Sequence, residues 1–151
     1  KLILQLKTGS VDFDSAFLTV NDWQSPEIGQ SITLPAPLFF HSGHISLESG
    51  DLILTPKLRS EDSIILFGPK LPFESGTYEL TMNYSAQNPS SLGTLYIDCG
   101  QTPLTQFEVK WPTDNSPISF EIAHNLPLNM VFVYACTTPM NIKSITLTRI
   151  K

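Results

Sequence analysis

Trp23 stands in a short polar segment, Asn21-Asp22-Trp23-Gln24-Ser25. An indole plane flanked by amides and a carboxylate can lie against the apolar face of a ring ligand while its neighbours bond the ligand's hydroxyls. That is the chemistry by which saccharides are held. The alternative is that Trp23 folds back to plug one end of the fold, since Trp is usually largely buried. Trp111 offers the same ring beside Pro112 and the polar Thr113-Asp114-Asn115. It shares strand parity with Phe107 and Val109, however, which favours core packing. In the run 94–99, Tyr96 and Asp98 alternate with Leu95, Ile97 and Cys99, so they face solvent if the latter are core. Asn83 and Glu79 take the solvent parity of their own strand. A concave sheet face carrying Tyr96, Asp98 and Asn83 would suit a glycan, and an ordinary solvated face is the plain alternative. Arg149, near the C-terminus, is held in reserve as a hydroxyl partner.

Other chemistries find weaker footing. His41-Ser42-Gly43-His44 with Glu48 suggests a two-histidine, one-carboxylate metal site of a cupin-like barrel. Positions three apart on a strand take opposite faces unless Gly43 turns the chain, and His124 is remote in sequence. Asp12 with Asp14, or Glu61 with Asp62, are the pairs a structural calcium ion would use, although neither lies in a defined loop motif. No other cofactor is expected. No pair of acids is marked out for glycoside hydrolysis, and no serine sits in a Gly-x-Ser-x-Gly elbow. No catalytic residue is assigned.

The elements that position these side chains read as strands. Over 77–84, Tyr78, Leu80, Met82 and Tyr84 alternate with Thr77, Glu79, Thr81 and Asn83, the period of a half-buried antiparallel strand. Before it, the apolar run Ile64-Ile65-Leu66-Phe67 reads as buried and stops at Gly68-Pro69. Similar runs fall at 2–7, 16–20, 31–34, 38–41, 44–48, 51–55, 93–99, 104–111, 117–123, 130–136 and 142–150. Turn residues such as Ser49-Gly50-Asp51 and Asn88-Pro89-Ser90 separate them. No window sustains a helical stripe. The pattern predicts a single all-β domain over 1–151, an antiparallel sandwich or barrel in which the first and last runs can pair. A chain opening at Lys1 reads as a piece excised from a larger protein.

Composition narrows the partners. Charged residues make up only 15% of the chain and net charge is −5, with nine basic residues scattered singly. A polyanion binder needs clustered Lys and Arg, so nucleic acid and anionic membrane surfaces are poor partners. No apolar stretch approaches the ~20 residues of a membrane span. Cys99 and Cys136 each close an apolar run and either bridge neighbouring strands or remain buried thiols. Asn83-Tyr84-Ser85 is a glycosylation sequon placed within a strand, and short sequons arise by chance.

The stretch Ile65 to Ala86, with Phe67-Gly68-Pro69 and Phe73-Glu74-Ser75-Gly76-Thr77-Tyr78-Glu79-Leu80, resembles jelly-roll carbohydrate-binding modules, the galactose-binding-like β-sandwiches. The closing Ile145-Thr146-Leu147-Thr148-Arg149-Ile150 is similar to their terminal strand. The resemblance implies a jelly-roll sandwich and a non-catalytic, lectin-like module that binds an oligo- or polysaccharide. It further implies an extracellular or cell-surface setting, as an accessory to a glycan-degrading or surface-polysaccharide enzyme. The matched residues are structural, so no ligand constellation carries over with them. A reading from another class is a structural sandwich that packs on its parent enzyme's domains or a partner, with Trp23 in an apolar contact patch.

Overall fold

The alternation over 77–84 folds as a strand whose Tyr78, Leu80 and Met82 are buried and whose Thr81 and Asn83 face solvent. It belongs to a computed structural model that describes residues 23–56, 63–100, 102–113, 116–135 and 137–151. Four short strands come first: β1 Ser31–Pro35, β2 Phe40–His41, β3 His44–Ile45 and β4 Leu52–Leu54. Longer ones follow: β5 Ser63–Pro72, β6 Gly76–Ala86, β7 Ser90–Cys99, β8 Thr102–Trp111, β9 Ile118–Ile122, β10 Pro127–Tyr134 and β11 Met140–Arg149. A single 3-10 turn, Ala36–Leu38, separates β1 from β2.

The strands form two antiparallel sheets, a six-stranded one in the order β3-β4-β11-β6-β9, with β1 also on β11, and a five-stranded one in the order β2-β5-β10-β7-β8. From β5 onward, every connection except the β7–β8 hairpin crosses to the opposite sheet. Such crossing connections make a jelly-roll sandwich and leave each sheet one inner and one outer face. The inner faces meet in one core. Ile145 and Leu147 from β11 and Tyr78 and Leu80 from β6 face Leu95 and Ile97 from β7 and Met130, Phe132 and Tyr134 from β10. Full burial of such side chains is worth about 1.5–3 kcal/mol each, which commits every strand to one face.

Two local expectations need correction. The chain does not leave the sheet at Gly68-Pro69, because β5 runs on to Pro72. Pro69 pairs with Asn129 and Leu71 with Leu128, so Lys70 is the extra residue of a bulge, with φ of 59°. A bulge absorbs the proline and re-aims the strand without ending it. Nor is 64–67 buried throughout. A second bulge lies at Ile65, since Phe132 pairs with Leu66 and Val133 with Ile64. Ile65 and Leu66 therefore both point inward, leaving Ile64 and Phe67 outside at 56% and 39% exposure. Strand β11 is flanked by β6 along one edge and by β4 and β1 along the other. The run 2–7, expected to pair with it, lies outside the described residues.

Candidate functional site

The outer face of the five-stranded sheet carries one row of side chains through the registers of all five strands. Phe40 pairs with Phe67, Phe67 with Val131, Val131 with Tyr96, and Tyr96 with Gln106. Phe40 and Phe67 stack at 5.0 Å with their planes 14° apart. Phe40 is 63% exposed and Tyr96 40%. Adjacent strands lie about 4.8 Å apart, so Phe67 and Tyr96 flank Val131 roughly 10 Å from each other. One step along the strands, Asp98 pairs with Asn129, and the Asn129 amide donates to the Asp98 carboxylate at 3.1 Å. Asn129 Oδ1 is buried without a partner among the described residues. On the other side Thr94 faces Glu108, whose carboxyl is held below its ordinary value by a hydrogen bond from Ser91 and by Lys110, 2.9 Å away. Aromatic planes thus lie beside carboxylates, amides and a hydroxyl on an open surface. Tyr96 and Asp98 stand where their strand parity puts them.

Asn83 does not join them. It faces outward from β6, in the opposite sheet, because the β6–β7 connection crosses the sandwich. Its surroundings are hydroxyl-rich: Ser144 stands opposite it, Thr33 bonds Thr146 at 3.0 Å and Ser31 bonds Thr148 at 2.7 Å. No aromatic ring of the Tyr96 row is on that side. Trp111 ends β8, set edge-on to Tyr84 at 6.2 Å, with the Tyr84 hydroxyl donating to the Lys110 carbonyl at 2.6 Å. Its half-buried ring packs against the core. The same edge of the sandwich has a cleft of about 410 Å³, floored by Met82, Phe107 and Ile118.

Trp23 and Arg149, remote in sequence, meet at one groove of about 440 Å³. The Trp23 indole donates to the Pro72 carbonyl at 2.7 Å and lies edge-on to Phe73 at 5.2 Å. The Arg149 guanidinium donates to the Glu74 carboxylate at 2.6 Å and to the Ser75 carbonyl at 2.9 Å. Ser25 accepts the Glu74 amide, and Asn125 accepts that of Ser75 at 2.8 Å. The groove opens at the sandwich end where β5 finishes and β10 begins, the end toward which Asp98 and Asn129 also lie.

The residues that sequence reasoning missed are Phe40, Phe67, Asn129 and Gln106. Asn129 was findable, since it alternates with Leu128 and Met130. Phe67 was not, because a bulge sets its direction. The histidines do not converge: β2 carries His41 into the five-stranded sheet and β3 carries His44 into the six-stranded one. His41 Nδ1 lies 3.2 Å from the Gly43 carbonyl. Among the described residues no group of His, Cys, Asp and Glu is arranged to hold a metal ion. Asp12, Asp14, Glu61 and Asp62, the expected calcium ligands, lie outside the described residues, as does Cys136. Cys99 is a buried free thiol that donates to the Leu126 carbonyl at 3.3 Å. Burial chiefly pushes its pKa up, the Leu126 bond opposes that, and nearby Asp98 adds to it.

No protein-family model and no curated protein matches the chain. Solved structures do. The C-terminal CBM6 of LamC, a marine laminarinase from Zobellia galactanivorans, superposes with a TM-score of 0.54 at 13% identity, over 80% of this chain and all of that one. The apo CBM1 of BiXyn10A gives a TM-score of 0.49 at 16% identity, over 82% of this chain and 99% of that one. The LamC superposition shows that the chain has the β-sandwich fold of that module.

Proposed function

We propose that the chain is a non-catalytic carbohydrate-binding module whose site is the outer face of the five-stranded sheet. The observation that carries this reading is the Phe67–Val131–Tyr96 row with Asp98, Asn129 and Gln106 beside it. Each pyranose would lay its apolar face on the row and bond its hydroxyls to the flanking acids and amides. No cofactor takes part, and few contacts are available, which keeps affinity modest. The fold shared with the LamC module supports an accessory role beside a glycan-active enzyme in an extracellular or cell-surface setting. No helix among the described residues is long and apolar enough to cross a membrane.

The test is a glycan array probed with the domain and its Tyr96→Ala variant. Tyr96 is on the solvent side of its strand, so the variant should keep its melting temperature while losing about tenfold or more in affinity. Binding unchanged by the substitution would remove the face from consideration.

A second reading has its own observation. The β2–β5 side of this face is apolar, with Phe40 63% and Ile64 56% exposed. Such a patch suits packing against a parent enzyme domain or partner. Silence across the array, with the domain folded, would favour that role.

A further inference from the structure

We propose that the groove between Trp23, Glu74, Asn125 and Arg149 is a second saccharide site, distinct from the Tyr96 face, that takes a neutral sugar through two adjacent hydroxyls. At about 440 Å³ the groove falls within the ~300–1,000 Å³ of ligand pockets. Its platform is fixed beforehand: the Trp23 ring is pinned by the bond to the Pro72 carbonyl and braced edge-on by Phe73. A rigid platform loses little freedom when a ligand arrives.

The polar groups are fixed as well, and the way they are fixed selects the ligand. Asn125 spends its Oδ1 on the Ser75 amide, which leaves the Nδ2 amine as a donor. Glu74 has one oxygen on Arg149 and is otherwise an acceptor, with its side chain 60% exposed. Because Asn125 is held on the amide of Ser75, the residue after Glu74, a donor and an acceptor stand near each other and match adjacent sugar hydroxyls, one accepting and one donating. An anionic sugar finds no such match. Both terminal nitrogens of Arg149 are already engaged, by Glu74 and Pro26 and by Ser75, and Glu27 adds negative charge to the rim. The Glu74 charge is already paired with Arg149 at 2.6 Å, so an amino sugar finds no free countercharge on it.

The chain has two tryptophans, so Trp111→Phe leaves Trp23 as the sole indole reporter. Adding Tyr96→Ala weakens binding at the sheet face. In that double variant, Trp23 fluorescence is followed during titration with hexasaccharides of glucose, mannose and xylose, a chitosan hexamer and an oligogalacturonate. The expected result is a saturable change with at least one neutral hexasaccharide and none with oligogalacturonate. Asn125→Asp keeps the oxygen that holds the Ser75 amide but removes the donor, and should weaken the response about tenfold with the melting temperature kept. A Trp23 signal that stays flat with every neutral sugar overturns the second site. So does a response untouched by Asn125→Asp, or one stronger with chitosan or oligogalacturonate. Failure of the sheet-face reading is seen separately, as array binding that does not depend on Tyr96.

Discussion

A single thiol shows how burial at residue scale becomes a pH dependence. Cys99 ends β7 on the inner face, and burial raises its pKa above the ordinary 9.0. In the unfolded chain the thiol ionises near its ordinary value, so above that pH the unfolded state binds fewer protons than the folded one. Stability from this group is therefore fully present below about pH 9 and falls as pH rises further. Urea melts between pH 7 and 10 should show that fall in the native chain and a smaller one in Cys99→Ala. An equal fall in both would refute the assignment. Sequence reading reached the proposed site at this scale only in part. Tyr96 and Asp98 were legible because an unbroken period-2 run fixes side-chain direction. Asn83 showed the right direction on its own strand, but nothing local says which sheet a strand joins. Trp23 and Arg149 meet through contacts with residues 49 to 123 positions away in sequence, which no local pattern records.

At the scale of elements, bulges explain what the alternation conceals. The strands of the longer half were legible from their periods and turn residues, and β6 and β11 fall close to where their patterns put them. The apolar run in β5 misled because Ile65 is an extra residue, which turns Leu66 inward and Ile64 and Phe67 outward. Leu66→Ala should cost about 2–5 kcal/mol as a core truncation, whereas Ile64→Thr should stay within about 0.5 kcal/mol. Chemical denaturation of the two variants compares them directly, and equal losses would contradict the bulge. A further bulge sits in β7, where Gly93 has φ of 142° and a Cβ there would press on the Val133 carbonyl. Gly93→Ala should destabilise by at least the ~1–3 kcal/mol typical of overpacking, read from the same denaturation midpoints. A neutral effect would mean that β10 can move away.

At the scale of the whole molecule, the jelly-roll crossings give the two sheets different outer faces. The six-stranded sheet shows hydroxyls, as in the Thr33–Thr146 and Ser31–Thr148 pairs. The five-stranded sheet shows aromatic rings beside acids and amides. The net charge of −5 and the singly scattered basic residues fit a ligand held by stacking and hydrogen bonds better than a polyanion, which needs clustered Lys and Arg. The all-β architecture was legible from turn spacing and strand periods, while the assignment of strands to sheets emerged only from long-range pairing. The measurement that bears most directly on the central claim is amide chemical-shift mapping of the isotope-labelled domain, titrated with the best saccharide from the array. Binding on the proposed face predicts saturable shifts at Phe67, Thr94, Tyr96, Asp98, Asn129 and Val131, all lost in Tyr96→Ala. Shifts confined to the Asn83 face, or to the Trp111 edge, would contradict it.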